Sequence, residues 1–342
     1  MKQYDVTIGI PIYNSVDCIK MSLMSALSQS YPSIEFLLVD DGCCDGTFDM
    51  VNQLIHNHRR ECDVHIIRHQ ANQGVSASRN QIIDEALGEY LYFMDSDDTI
   101  TENAIELFMQ NAGRYNAEVV FGSYLKIEAS GCKTVYQYPS LQLLKNDEFA
   151  CFAYRKYAGI QASACNCLLK TELLRNKNHR FINVSYWEDF VFTFNLVTYI
   201  SRAILLPDIT YYYKCRKDSL SHYQYRDRIT KDEVMQNVKA INYLKSTSAS
   251  YVNKIYYPNR CVNIVMTDFY IACNILKRRK DISPCIQCAE IKSMMKHPAT
   301  WSQICFFSQS RIKNVLLYML SKLPAKLCVA AIWCLGKYKK LI

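Results

Sequence analysis

Two acidic clusters carry most of the chemistry that this chain could do. Asp40-Asp41-Gly42 closes the apolar run from Ile34 to Val39, and Asp95-Ser96-Asp97-Asp98 closes the run from Tyr90 to Met94. Either cluster alone reads as a solvated turn. Two of them, each directly after an apolar strand, read as one carboxylate-rich site. Such a site repels a bare phosphate, so an anionic ligand there needs a divalent cation between the charges. Oxygen ligands of this kind suit Mg²⁺ or Mn²⁺. The usual phosphate cradles are missing: no G-x-G-x-x-G follows the first strand, and no Walker A sequence occurs. A third acidic pair, Glu188-Asp189, opens the helical pattern of Phe190, Phe194 and Val197. Alone it reads as an ordinary first helical turn, where backbone N–H groups favour negative charge.

The elements that must position these clusters alternate. Val6, Ile8, Ile10 and Ile12 keep the period of a strand. Ser15 is placed to cap a helix carrying Val16, Ile19, Leu23 and Leu27. Ile34 to Val39 is continuously apolar, as in a strand buried on both faces. A helix over 50–58, a strand over 64–67, a helix from Ser76 to Leu87 stopped by Gly88, and a strand over 90–94 follow. Strands alternating with helices give a mostly parallel sheet covered on both faces. Ligands of such sheets bind beyond the carboxyl ends of the strands. Pro11-Ile12-Tyr13-Asn14, Asp40-Asp41-Gly42 and Asp95-Ser96-Asp97-Asp98 should therefore meet at one edge.

In order and spacing, four stretches resemble the family-2 glycosyltransferases, nucleotide-sugar enzymes of GT-A fold. They are Val6 to Asn14; Val39-Asp40-Asp41-Gly42 with Asp45-Gly46-Thr47; Asn72-Gln73-Gly74 with Ala77-Ser78-Arg79-Asn80; and Gly88-Glu89-Tyr90 leading to Phe93-Met94-Asp95-Ser96-Asp97-Asp98. Cys43-Cys44 departs from the small polar residues usual in the second. The resemblance implies an α/β, GT-A (Rossmann-like), mostly parallel sheet with helices on both faces, plus a C-terminal helical extension. It places Pro11, Tyr13, Asn14, Asp40, Asp41, Arg79, Asp95 and Ser96 about a nucleotide-sugar, with Asp41 accepting from the base. Asp97, with Asp95, would hold Mn²⁺ or Mg²⁺ at the diphosphate. Asp98 is left between a part in that site and an N-cap for the helix from Glu102 onward.

The resemblance further implies inversion, a UDP-linked hexose or N-acetylhexosamine donor, a glycan or lipid-linked glycan acceptor, and Asp189 as the base that deprotonates the acceptor. Residues 1–110 would form the nucleotide-sugar half of the GT-A domain, 111–218 the acceptor half with the base, and 219–342 a helical region. Cys165, Cys167 and Leu169 stand where many members have Trp, Lys and Tyr, and Tyr211-Tyr212-Tyr213-Lys214 with Arg216, Ser219 and His222 is similar to a closing strand and loop. Three other readings compete with this one. A sugar nucleotidyltransferase lacks its Gly-rich basic loop here, a phospho-acceptor signalling module would be shorter, and a catalytically inactive nucleotide-sugar-binding scaffold stays open.

Composition bounds the remainder. The 342 residues are 50% hydrophobic and 21% charged, which suits a globular chain and excludes wholesale disorder. The 16 cysteines include one isolated C-x-x-C, Cys285 to Cys288, and read as free thiols rather than a zinc or disulfide framework. A strand pattern beginning by residue 6 gives the expectation of no leading targeting segment. The net charge is +8, but nine Lys/Arg and no Asp or Glu lie in 291–342, leaving 31 basic against 32 acidic side chains before it. The basic excess is therefore a property of the tail, and no nucleic-acid partner is expected. In the tail 311–342, Ile312, Val315, Leu316, Met319, Leu320 and Leu323 share a helical face, and Pro324 separates them from the apolar stretch 327–335. That stretch is short for a bilayer span. With flanking Lys337, Lys339 and Lys340, it suits either peripheral contact with an anionic membrane or packing on the domain. The expected setting is cytoplasmic, at the inner face of a bacterial inner membrane.

Overall fold

A computed structural model describes residues 3–215, 226 and 228–342. The chain forms two compact units. The first comprises 1–149, 163–183 and 199–218, and the second 150–162, 184–198 and 219–342. The second unit thus takes everything after Asp218 and two earlier excursions, one of which carries Asp189.

The first unit is built on strands β1 (Tyr4–Ile12), β2 (Ile34–Asp40), β3 (Val64–Arg68), β4 (Gly88–Phe93), β5 (Thr99–Ile100), β6 (Val119–Ile127), β7 (Lys133–Tyr136), β8 (Leu141–Leu143), β9 (Cys167–Lys170) and β10 (Ala203–Lys214). Helices α1 (Ile19–Leu27), α2 (Thr47–Ile55), α3 (Val75–Glu85), α4 (Ala104–Tyr115) and, after α5 (Glu148–Lys156), α6 (Thr171–Asn176) connect them. The sheet order is β3-β2-β1-β4-β9-β6-β10-β5, with β7 on β6 and β8 on β10. Pairing is parallel from β3 to β4, and again between β6 and β10. It turns antiparallel on both sides of β9. The sheet is therefore mixed, with its parallel part in the stretch that the alternating pattern marked.

Register fixes the working edge. Ile12 lies opposite Asp40 and Gly9 opposite Phe93, so β1, β2 and β4 all end together. At the other end of these strands, the buried Glu35 accepts from Thr7 Oγ1 (2.5 Å) and Leu87 N (2.8 Å) and meets His65 Nδ1 at 2.7 Å. A Cβ on Gly9 would come within 2.3 Å of Ile82 Cγ2, so α3 seats directly on β1 there.

Two local expectations are corrected. Gly88 does not stop α3, which ends at Glu85; it opens β4, where a Cβ would lie 2.4 Å from Thr7 N. Ser15 does not cap α1 with its side chain; its carbonyl accepts from Cys18 and Ile19 N instead, and Cys18 takes the cap position.

The second unit is helical: α7 (Glu188–Leu196), α8 (Lys231–Thr247), α9 (Tyr257–Lys277), α10 (Cys288–Met294), α11 (Trp301–Cys305), α12 (Arg311–Lys322) and α13 (Ala325–Tyr338), plus a two-stranded parallel ribbon of β11 (Ile229–Thr230) and β12 (Ile282–Ser283). A reciprocal Thr230–Glu233 capping box starts α8. Helix α9 forms the axis, touched by α8, α10, α12 and α13. Its Arg260 is the largest fully buried side chain among the described residues. The 16 cysteines are free, and no helix among the described residues is long and apolar enough to cross a membrane.

Candidate active site

The ends of β1 and β2 are sewn into one surface. Asp41 N donates to Ile12 O (2.9 Å), Cys44 N to Asn14 Oδ1 (3.0 Å) and Ser15 N to Thr47 Oγ1 (2.9 Å). Asn14 sits in the left-handed region at φ 43° and donates its own N–H to Cys43 Sγ (3.2 Å). The Cys43-Cys44 departure therefore has a structural use: the thiol sulfur takes the place of an oxygen acceptor beneath the turn. Of the run Pro11 to Asn14, Pro11 is buried in β1 opposite Val39, and Tyr13 presents its ring to solvent at 48% exposure.

Asp40 and Asp41 are both buried and have distinct partners. Asp40 accepts from Cys43 N (2.9 Å) and pairs with Arg68 Nε (2.9 Å), which shapes the turn. Asp41 accepts from Gln73 N and Gly74 N, each at 2.8 Å, and meets His69 Nδ1 at 2.6 Å. The opposite His69 nitrogen faces Gln81 Oε1 at 2.6 Å. Burial alone would lower the His69 pKa, but hydrogen bonds to Asp41 and Gln81 raise it above the ordinary imidazole value, and the protonated ring can donate to both oxygens. His69 was missed in the sequence because the strand-end rule was applied to carboxylates only.

The second cluster follows β4. Arg79, buried on α3, donates from Nη2 to Asp95 Oδ1 (2.9 Å), and its guanidinium lies 5.3 Å from the centre of the Phe181 ring. The Asp95 carbonyl accepts from Ser22 Oγ (3.1 Å), and its N–H donates to Tyr211 Oη (3.3 Å). Asp98 is buried, accepting from Tyr211 Oη (2.7 Å) and Lys214 N (2.8 Å). It does not cap α4, whose N-cap is Asn103. Burial, with Asp95 and Asp97 beside it, pushes the Asp98 carboxyl up to about 8 against the two hydrogen bonds. Asp95, Ser96 and Asp97 are partly open to solvent. One carboxylate oxygen each from Asp95, Asp97 and Asp98 lie within 4.8 Å of one another, a hard-oxygen donor set of the kind that holds Mg²⁺ or Mn²⁺. Tyr211 belongs to the stretch that resembles a closing strand, but nothing in the sequence pointed to its bonds with Asp95 and Asp98, and Phe181 lies in no matched stretch.

The first unit thus gathers Tyr13, Asn14, Asp40, Asp41, Arg79, Asp95, Ser96 and Asp97 along one strand-end edge. Asp189 belongs to the second unit, in the first turn of α7. That helix's N-cap, Trp187, is held left-handed at φ 70°, an unusual conformation for a bulky side chain. Thr193 Oγ1 donates to Gln161 O (2.6 Å), Tyr154 Oη to Phe194 O (2.6 Å) and Arg260 Nη2 to Asn195 Oδ1 (2.6 Å), which fixes the helix within its unit. Cys165, Cys167 and Leu169 are buried, the last two in β9, and make no open surface. Arg216, Ser219 and His222 fall outside the described residues.

A parallel strand-end edge bearing three clustered carboxylates, in a sheet completed by antiparallel strands, is the arrangement of a GT-A fold. Residues 7–176 match the model of Glycosyl transferase family 2, and the chain belongs to that family. An uncharacterized glycosyltransferase of Haemophilus influenzae is 26% identical over 262 residues, 74% of this chain and 92% of that protein. The UDP-Glc:alpha-D-GlcNAc-diphosphoundecaprenol beta-1,3-glucosyltransferase WfaP of Escherichia coli is 26% identical over 239 residues, 68% of this chain and 86% of that one. Among solved structures, S. aureus TarS 1–349 in complex with UDP-GlcNAc superimposes with a TM-score of 0.54 at 17% identity, covering 93% of this chain and 90% of that 1–349 chain, a likeness of fold.

Proposed function

We propose that this glycosyltransferase moves a hexose or N-acetylhexosamine, with inversion, from a UDP-sugar to a glycan or lipid-linked glycan acceptor in a metal-dependent reaction. The observation that carries the reading is the gathering of an open aromatic ring, a hydrogen-bonding carboxylate, an Arg–Asp pair and three clustered carboxylates on one edge of the first unit. The Tyr13 ring offers a stacking face to the base, and Asp41 keeps accepting capacity on Oδ2, which takes one backbone N–H. Arg79 holds Asp95 in place. Asp95 and Asp97, with Asp98 behind them, would hold the divalent cation, which when bound neutralises charge building on the departing diphosphate.

Asp189 takes the proton from the acceptor hydroxyl. The acceptor oxygen then bonds to the anomeric carbon as the bond to the diphosphate oxygen breaks, and that electron pair leaves on UDP. The relatives named for UDP-Glc and crystallised with UDP-GlcNAc support the choice of donor. The test is a panel of nucleotide-sugars with Mn²⁺, assayed for transfer beside calorimetric UDP binding. Asp189→Asn should keep UDP affinity while transfer falls by roughly 10²–10⁴-fold, the range of a lost general base. Unchanged turnover in that variant removes Asp189 from the mechanism, and absent UDP binding by the wild type removes the donor assignment.

A further inference from the structure

Helices α12 and α13 each carry three faces where a surface helix needs two. One face is buried: Asn314, Leu317 and Leu320 on α12, and Cys328, Ile332 and Gly336 on α13. It packs on α9 and α10 of the same unit. Asn314 donates to Pro258 O (3.1 Å), and a Cβ on Gly336 would lie 2.9 Å from Cys273 Sγ, so the seating is close. Burial of one apolar stripe satisfies an amphipathic helix, and its opposite side is normally polar.

Here the opposite side is apolar as well. Ile312, Leu316 and Met319, spaced four and three residues apart, are 75%, 65% and 54% exposed. On α13 Leu327, Leu335 and Tyr338 are also exposed. The third face is basic. Lys322 Nζ sits 4.8 Å from the centre of the Tyr318 ring, Lys337 Nζ 3.9 Å from that of Trp333, and Arg311, Lys326, Lys339 and Lys340 are exposed.

We propose that the outer face of α12 and α13 is a docking surface for an anionic phospholipid leaflet, with the apolar rows entering the acyl boundary and the lysines meeting the headgroups. Charge selects this occupant. Residues 291–342 hold nine basic and no acidic side chains, so a second copy of the face would bring like charges together with nothing to neutralise them. Aliphatic rows offer nothing to a phosphate polymer, whereas a leaflet supplies an apolar layer beneath negative charge. Contact is interfacial, because neither helix is long enough to cross a bilayer.

The test is flotation of the full chain with vesicles of phosphatidylcholine alone or mixed with phosphatidylglycerol, without donor or acceptor, so the result is independent of the proposed reaction. Binding should require phosphatidylglycerol and weaken with salt. Leu316→Ser and Ile312→Ser should each weaken it roughly tenfold, with an unchanged melting curve because both side chains are already in water. Lys337→Gln with Lys340→Gln should weaken it while leaving the fold intact. Equal flotation on both vesicle types, flotation on neither, or unaltered binding by the serine variants overturns the proposal. So does a wild-type dimer that ignores vesicles and dissociates on Leu316→Ser.

Discussion

Arg260 is a fully buried cation whose hydrogen-bond partners in the structure are all neutral. It donates to Asn195 Oδ1 (2.6 Å), Tyr154 Oη (2.5 Å) and Ser248 Oγ (3.0 Å), and its guanidinium lies within 5.6 Å of the ring centres of Tyr154, Phe194 and Tyr251. Arg260→Met keeps most of the volume and removes all of this. Tyr154 Oη and Ser248 Oγ still donate to backbone carbonyls, but the Asn195 oxygen is stranded. Three charge-assisted bonds at about 1.5–3 kcal/mol each set the gross loss. Relief from desolvating a cation, several kcal/mol, offsets a good part of it, and the net expectation is a loss of about 3 kcal/mol. The assay is specific to this unit, because Trp187, Trp301 and Trp333 are the only tryptophans of the chain and all belong to it. Tryptophan fluorescence in urea should show the midpoint falling by about 1–2 M. Arg260→Lys, which keeps the charge but cannot fork to three acceptors, should lose nearly as much. A methionine variant as stable as the wild type would mean that desolvation cancels the whole network, and would refute the reasoning.

Further expectations attach to the first unit. Asp97→Asn should abolish the Mn²⁺ dependence of UDP binding in calorimetry while leaving the melting temperature within a few degrees; equal metal dependence would move the cation elsewhere. The raised pKa of His69 makes its bond to Asp41 fully stabilising below the unfolded value of about 6.5 and progressively lost as pH rises through the folded one. Thermal melts should therefore show stability declining as pH rises above about 6.5, with the slope flattened in His69→Gln. Gly88→Ala should cost about 3 kcal/mol or more, since its Cβ would meet backbone atoms of Val6 and Thr7 within 2.5 Å. A near-neutral effect in chemical denaturation would contradict the tight β1–β4 approach.

What could be read from the sequence was what repeats locally. Periodicity located β1, β2, β3 and β4, and the strand-end rule brought Asp41, Asp95 and Asp97 to one edge. The turn from parallel to antiparallel pairing at β9 left no trace, because Cys167-Leu168-Leu169 is apolar whichever way it runs. Supporting partners such as Tyr211, Phe181 and His69 were hidden for another reason. They lie 116, 102 and 28 residues from Asp95, Arg79 and Asp41, the groups that they hold. Only the fold makes such pairs neighbours. The tail shows the same limit: its apolar residues were visible, but which were used up by α9 and which face outward depends on packing.

The division of the chain bears on how it can be synthesised and cut. The first unit is interrupted twice, at 150–162 and 184–198, and β10, which pairs with β5, β6 and β8, arrives only after both interruptions. Its sheet therefore cannot close on the emerging polypeptide until about residue 214 has left the ribosome, a late, long-range pairing of the kind that folds slowly. A fragment ending near Asp218 would contain every residue of the sheet and yet leave both interrupting segments without the helices that they fold against. Subcloning at that tempting boundary should give a chain that exposes Phe192 and Phe194 and aggregates, whereas coexpressing residues 219–342 as a separate polypeptide should restore its solubility.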